Sequence, residues 1–447
     1  MQPPVQPRYR RLPSRLGFWL LCAGALFGAP AASARSSYEP SEIVVGYAPA
    51  PGPVAAEAVT RLVRVPTGMS LDATLARVRR QKGVAWAVPD YVAHATGTMI
   101  PNDPGESQSA GGWQALQWNF DSQFGIRAPQ AWANAAATDR PAGSKVVVAV
   151  LDTGVAYANR GPYRRSPDFS RYTFVQGYDF ISRGPYANDH NGHGTFVAGA
   201  IAEATNNHRG LTGLAYLARI MPVRVLDASG EGDASVIAEG VRFAVNHGAK
   251  VINLSLEFSS DVSAADVPEL IDALRYAYRR GVVVVAAAGN EGSTSIPYPA
   301  RAPHVIAVGA TTEHGCLANY SNYGRAIALV APGGGADASL AGDPNCHPQL
   351  PSGRDIFQMT FTGSSPRVFG FPNGYEGTSM ATPQVSATAA LMIAERVLGS
   401  KPAPSRIEAR LKSTARRLGG PADRRLYGAG LLDAGAATAP LKAGIAK

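Results

Sequence analysis

The sequence has no apolar run long enough to cross a bilayer. Its best candidate, Leu16–Phe27 (LGFWLLCAGALF), falls well short of the roughly 20 residues a spanning helix needs. That run sits between a basic stretch (Arg8, Arg10, Arg11, Arg15) and the small-residue site Ala32-Ser33-Ala34. The arrangement is that of a secretory signal peptide cut after Ala34, which leaves no membrane anchor and places the mature protein outside the cell, directly or by way of a periplasm. Arg10-Arg11 makes a weak twin-arginine signal because Leu12-Pro13 follows. Cysteine is also scarce. Of the three, Cys22 leaves with the signal, so at most one bridge remains, and an exported chain is expected to join Cys316 to Cys346. The formal charge is +9, yet no basic stripe is interleaved with aromatics. Residues 1–98 carry eleven Lys or Arg against five acids, so most of the excess lies at the N-terminal end. A nucleic-acid partner is excluded on that distribution. There is no internal repeat. No G-x-G-x-x-G follows VVVAVLDTG, which argues against a dinucleotide site there.

What is present is a globular composition: 45% apolar, 17% charged, with 48 Gly and 34 Pro for loops. The length of 447 residues allows two or three domains. Residues 35–98 contain a small unit. Ile43–Tyr47 and Arg61–Val65 read as strands. Ser70 caps a helix with Leu71, Leu75 and Val78 on one face, and Val84–Val88 reads as a third strand with Pro89-Asp90 behind it. Such a β–β–α–β unit has little core and is marginal alone. Residues 96–115 are rich in Gly, Pro, Ser and Asn and read as an exposed linker; 99–116 is assigned to linker and mature N-terminal region.

From 117 to 440 the pattern changes. Apolar runs recur at 146–151, 220–226, 251–256, 282–288, 305–308 and 327–330, with helical stretches between them at 234–247 and 266–280. Several runs are continuous, as strands buried on both faces must be. The alternation predicts an α/β domain with a parallel sheet and helices on both faces. Residues 377–396 predict a buried helix, and Ser405 with Glu408 a capping box for a last helix to about Leu418. Residues 441–447 are a short tail.

Three segments carry chemistry. Asp152 ends an apolar strand in VLDTG, where open α/β sheets gather catalytic groups. His193 opens a helix between two glycines in NGHGT, and Ser379 stands at the N-terminus of the buried helix in GTSMATP. A serine hydroxyl needs a base to become a nucleophile, and an imidazole has a suitable pKa. A buried carboxylate fixes the tautomer of the imidazole and stabilises its charged form. A helix N-terminus offers a backbone N–H to a developing oxyanion, and the amide of Asn290, ending AAAGN, can add a second donor. His190 lacks the glycine-flanked setting and reads as a surface residue.

The segments AVLDTGV, NGHGTFVAG, AAAGNEG and GTSMATPQVS resemble, in order, the four signature blocks of the subtilisin-like serine proteases. The resemblance covers about residues 117–440, and residues 41–95 resemble that family's inhibitory propeptide, to which 35–98 are assigned. It implies an α/β peptidase domain preceded by a small α+β propeptide, and a self-processing zymogen that hydrolyses peptide bonds through an acyl-enzyme on Ser379. It implies Asp152 as orienting acid, His193 as base and Asn290 as oxyanion donor. Substrate would lie along Ser255, Leu256, Glu257, Ala288 and Gly289. Partners would be protein or peptide substrates and the chain's own propeptide as inhibitor, with the mature enzyme a monomer.

Two positions depart from the family pattern. Phe196 stands where a second histidine is usual and is expected to pack. Glu257 stands where glycine is usual; its carboxylate would favour substrates with Lys or Arg if it faces the cleft, the alternative being that it points to solvent or pairs with a nearby arginine. The segment between Pro332 and Gly377 is longer than in compact members and could be a lid, a substrate-loop addition or surface decoration. Thr205–Leu211 (TNNHRGL) resembles the family's calcium loop, which implies structural Ca2+ on Asp168, Thr205, Asn207, Arg209 and Leu211, all through oxygen. No cofactor is implied for catalysis. Two rival readings remain open: a binding protein on a degenerate protease fold, and a dedicated processing protease with a narrow substrate.

Overall fold

The computed structural model describes residues 38–47, 59–91, 99–107, 109–138, 140–419 and 424–441. The signal peptide expected at 1–34 lies outside the described residues. The chain divides into two compact units, Met1–Ala93 with Lys442–Lys447, and His94–Leu441.

In the first unit, β1 (Tyr38–Tyr47) lies between β2 (Val59–Arg64) and β3 (Val84–Tyr91), antiparallel to both. Between β2 and β3 runs α1 (Leu71–Val78), whose N-cap Ser70 accepts the Ala73 N–H on Oγ at 3.2 Å. Ile43, Val45, Leu75, Val78 and Ala87 form a small core. The strand β3 continues through Pro89-Asp90 instead of ending before them. An edge strand tolerates proline because one side of its backbone has no neighbour to pair with.

In the second unit an irregular N-terminal stretch leads to α2 (Ala128–Ala136) and then to a seven-stranded sheet. Its elements are β4 (Val147–Asp152), β5 (Tyr178–Asp179), α3 (His193–Ala202), β6 (Arg219–Arg224), α4 (Ala234–Asn246), β7 (Val251–Leu254) and α5 (Pro268–Arg279). Then follow β8 (Val283–Ala287), β9 (Val305–Thr311) and β10 (Ile327–Pro332). The order is β10-β9-β8-β7-β4-β6-β5, every pairing parallel. Each central strand feeds two cores. Val148 and Val150 of β4 join Val197 and Ile201 of α3 and Val385 and Leu391 further along the chain. Ala149 and Leu151 join Ile237 and Val241 of α4 and Leu270 and Leu274 of α5. Burial on both faces explains why these strands read as unbroken apolar runs.

The strand order reverses at β4, with β5 and β6 to one side and β7 to β10 to the other. The carboxyl ends of β4 and β7 flank that switch point, the place where such sheets form ligand crevices. A hairpin, β11 (Thr360–Phe361) and β12 (Phe369–Gly370), occupies the long segment before α6 (Thr378–Ala394). The helix α6 is buried nearly all round, as its lack of a polar face predicts. The next helix, α7, runs Pro404–Thr414 with Ala403 as N-cap and proline in its first turn. The expected Ser405–Glu408 box does not form: Ser405 is already inside the helix, and Glu408 pairs with Lys412 one turn on.

The stretch 99–115 is packed, not an exposed linker. Trp113 is fully buried, donates its indole N–H to Pro101 O at 3.0 Å, and meets Trp132 edge-on at 5.5 Å. Its Gly, Pro and Ser content marks irregular backbone, and two buried anchors, Asp103 and Trp113, hold that backbone down.

Candidate active site

Asp152 is the last residue of β4 and is wholly buried. His193 is the first residue of α3, and its Nδ1 lies 2.7 Å from Asp152 Oδ1. That approach requires glycine at 194: a Cβ there would come within 2.1 Å of the Gly154 carbonyl and 3.0 Å of Asp152 Oδ1. The turn carrying the histidine hangs on Asp189, which the sequence reading passed over. Buried Asp189 accepts Thr153 Oγ1–H, Asn191 N–H and Gly192 N–H on Oδ1, each at 2.9 Å, and Thr195 N–H (2.9 Å) and Oγ1–H (2.6 Å) on Oδ2. Its signal in the sequence was weak: an acid four residues before the histidine, in a stretch that reads as polar loop. Neighbouring His190 is exposed and stacks on Tyr163.

Burial opposes a charge on His193. The Asp152 charge, its hydrogen bond and the Asp189 charge outweigh that effect and hold the imidazole pKa above its ordinary value.

Ser379 is the second residue of α6. Its hydroxyl donates to Ser255 O at 3.3 Å. The first N–H of the helix, that of Thr378, is taken by Asn290 Oδ1 at 2.9 Å, and Thr378 Oγ1 donates to the same oxygen at 3.0 Å. With Oδ1 so engaged, Asn290 has its NH2 left to donate. The Ser379 N–H has no acceptor among the described residues, as expected in a first turn. Both are ready donors for an oxyanion.

A cleft of about 530 Å³ is lined by Thr153, His193, Ser255, Leu256, Glu257 and Ser379 among others. Ala287 lines it too, whereas Ala288 and Gly289 are buried just beyond, their peptide groups bonded to Val308, Thr378 and Asn322. Glu257 faces Glu291: a Cβ on Gly289 would meet Glu257 Oε2 at 2.2 Å and Glu291 Oε2 at 3.0 Å. Burial first, then the Glu291 charge and a hydrogen bond to it, push the Glu257 pKa up to about 7.

The model of the subtilase family matches residues 143–430, a stretch that contains Asp152, His193, Asn290 and Ser379. The chain belongs to the subtilase family. It is 40% identical over 298 residues to Subtilisin Savinase of Lederbergia lenta, covering 66% of this chain and 91% of that one. It is 34% identical over 320 residues to Thermitase of Thermoactinomyces vulgaris, covering 72% and 93%. A solved protease from Pseudoalteromonas arctica superposes with a TM-score of 0.61 at 33% identity, covering 76% of this chain and 99% of that one. As a subtilase, the protein is a serine peptidase, a hydrolase of peptide bonds, on the subtilisin-like α/β fold.

Other expected features of this subtilase also take their places. Phe196 is fully buried and stacks parallel on Tyr375, centroids 4.3 Å apart. Cys316 and Cys346 are joined. No helix among the described residues is long and apolar enough to cross a membrane.

At the expected calcium loop, no group of three His, Cys, Asp or Glu among the described residues could hold a metal, so an ion would depend on carbonyl oxygens. Those oxygens exist. The carbonyls of Thr205, Arg209 and Leu211 receive no hydrogen bond among the described residues. Asp168 is buried beside them, accepting Asn207 Nδ2–H at 2.8 Å and Leu211 N–H at 3.0 Å. Asn207 Oδ1 takes the Arg209 N–H at 2.8 Å. Asp103 and Glu203 are buried nearby, with no buried cation beside them among the described residues, and burial pushes both carboxyls above their ordinary range, so a cation there would favour their charged forms. Burial, eased by the Asn207 and Leu211 bonds and reinforced by the Asp103 charge, pushes the Asp168 pKa up to about 7. An oxygen-rich, anionic donor set of this kind fits a hard cation.

Proposed function

We propose that the chain is the precursor of a secreted, self-processing serine endopeptidase. One observation carries the reading: the imidazole of His193 is bonded to buried Asp152 at 2.7 Å and shares one cleft with Ser379. In this mechanism Asp152 keeps the proton on His193 Nδ1, so that Nε2 is the basic nitrogen. His193 takes the Ser379 proton as Oγ attacks the peptide carbonyl. The Ser379 N–H and the Asn290 amide stabilise the oxyanion. His193 then returns the proton to the leaving amine, and water releases the acyl-enzyme. Substrate lies extended along Ser255–Glu257 and the end of β8, pairing as an added strand.

The Leu16–Phe27 segment supports secretion, and residues 35–98 act as an inhibitory propeptide. The 99–107 stretch supports a maturation cut before Met99, because Asn102 and Asp103 bond the loop at 206–208 and belong with the catalytic unit. The mature enzyme is a monomer. Calcium, held by Asp168, Asn207 and the Thr205, Arg209 and Leu211 carbonyls, would neutralise the buried acids and tie that loop together. The test is to express the chain and Ser379→Ala in a protease-deficient host. The wild type should lose residues up to about 98 and digest casein; the variant should remain a precursor. A variant that matures and digests casein overturns the reading.

A further inference from the structure

The long segment before α6 reaches back to the residue preceding His193. Thr360 Oγ1 donates to the Gly192 carbonyl at 2.5 Å. The N–H of the same residue is held by Asp189 at 2.9 Å. Gly192 is thus fixed through donor and acceptor, one side by its own loop and the other by a hairpin 168 residues away. The fit is close: a Cβ on Gly192 would meet Thr360 Oγ1 at 3.1 Å, the Phe361 ring at 3.2 Å and the Tyr375 hydroxyl at 3.4 Å.

A second contact joins the same partners. Phe196, one turn into α3 from His193, stacks on Tyr375 with planes 8° apart. Tyr375 stands four residues before Ser379, and its carbonyl accepts the Ile356 N–H at 3.0 Å. Phe196, Trp118, Ile356 and Met380 form one small core with Tyr375 packed against it, and Met380 is the neighbour of Ser379. One aromatic stack therefore bridges the helix that carries the imidazole and the chain that delivers the serine. Aromatic pairs of this kind add stabilisation beyond their buried area, and a packed cluster has discrete geometry.

We propose that Thr360 and Tyr375 are positioning residues, which set the distance between His193 and Ser379 by gripping Gly192 and Phe196. The long segment is then part of the catalytic scaffold, and Phe196 is the counterpart that Tyr375 requires. This rests on His193 and Ser379 acting as base and nucleophile. Misplacing a reacting pair by a fraction of an ångström slows the chemical step more than it weakens binding.

The experiment compares Thr360→Val, Thr360→Ser, Tyr375→Ala, Tyr375→Phe and His193→Ala as purified mature enzymes, well below each melting temperature. The readouts are kcat, KM and the rate at which an organophosphonate labels Ser379. Thr360→Val keeps the side-chain shape without the donor. It and Tyr375→Ala should lower kcat and the labelling rate by about ten-fold with KM within two-fold of wild type. Thr360→Ser and Tyr375→Phe, which keep the bond and the stack, should recover most of both rates. Thr360→Val and Tyr375→Ala with wild-type kcat and labelling, or with only a lower melting temperature, would overturn the proposal. His193→Ala checks the premise separately: full activity in that variant removes the base itself.

Discussion

Ser255 and Ser379 hold each other: the Ser255 hydroxyl donates to the Ser379 carbonyl at 2.9 Å, and the Ser379 hydroxyl donates to the Ser255 carbonyl at 3.3 Å. The first bond exists because of a proline. Position 383, four residues on in α6, is Pro383, which has no N–H to bond the Ser379 carbonyl within the helix. That carbonyl is left for Ser255, which is itself oriented by Asn253 Nδ2 at 3.0 Å, with Asn253 Oδ1 held by Ser386 Oγ at 2.8 Å. Ser255→Ala should leave a buried carbonyl unpaired and cost about 1–2 kcal/mol in stability, with a several-fold loss of kcat. Urea denaturation and steady-state kinetics check both; wild-type values for both would show that the pair is incidental.

In the proposed mechanism the charge on the Asp152–His193 pair sets the acid limb of activity. His193 must be neutral to act, and Asp152 raises its pKa, so activity should fall as pH drops through a midpoint above the ordinary 6.5. Asp152→Asn removes the charge, so burial should dominate and move that midpoint down, while kcat falls by about 10⁴-fold. A kcat/KM profile against pH for both proteins reads the sign directly. An unmoved midpoint would mean that Asp152 does not act on the base.

Glu257 offers a second pH test. With its pKa at about 7, it is neutral below that value and charged above it. The preference for a peptide with Arg over Leu before the cut should therefore grow as pH rises through 7. The His193 titration is common to both peptides and cancels in the ratio. The effect should be a few-fold, as ion pairs near a surface are worth about 0.2–1 kcal/mol, and should shrink in salt. Glu257→Gly should give a flat ratio. A ratio flat in the wild type as well would show that this carboxyl does not read the substrate.

Most of the fold and of the candidate site was legible because its signals are local. A doubly buried strand announces itself by unbroken Val, Ile and Ala, as in Val147–Leu151, and Asp152, His193 and Ser379 each sit in a short glycine-marked segment. Asp189 was missed because its role lies in five hydrogen bonds and not in a motif. The packing of 99–115 was missed because Gly, Pro and Ser composition says only that backbone is irregular. Thr360 and Tyr375 were illegible because their partners lie more than 160 residues away in sequence. The helix start at Pro404 shows proline in the first turn prevailing over a candidate capping pair.

Asp189→Asn should be far more damaging than its conservative look suggests. An amide has one acceptor oxygen and cannot satisfy donors on both sides of the carboxylate, so at least one buried donor of the His193 turn is orphaned. A loss of about 2–4 kcal/mol in stability and ten-fold or more in kcat/KM is expected. Thermal melts and peptide hydrolysis measure these; a variant within 0.5 kcal/mol of wild type would show that the turn stands without it.

The proposed calcium should matter to stability and not to chemistry. Removing it with a chelator should lower the melting temperature by roughly 5–10 °C, as expected for an ion bound well below its working concentration. Asp168→Asn should abolish that difference. Identical melting curves with calcium and chelator would show that the loop stands without the ion.

The most direct measurement is the site and consequence of covalent labelling. The mature enzyme is treated with an organophosphonate, digested and analysed by mass spectrometry, with peptide hydrolysis followed in parallel. One phosphonyl group should appear, on Ser379, in step with complete loss of activity, and Ser379→Ala should neither be labelled nor cleave peptides. A label on another residue, or hydrolysis that survives in Ser379→Ala, would contradict the assignment of Ser379 as the nucleophile.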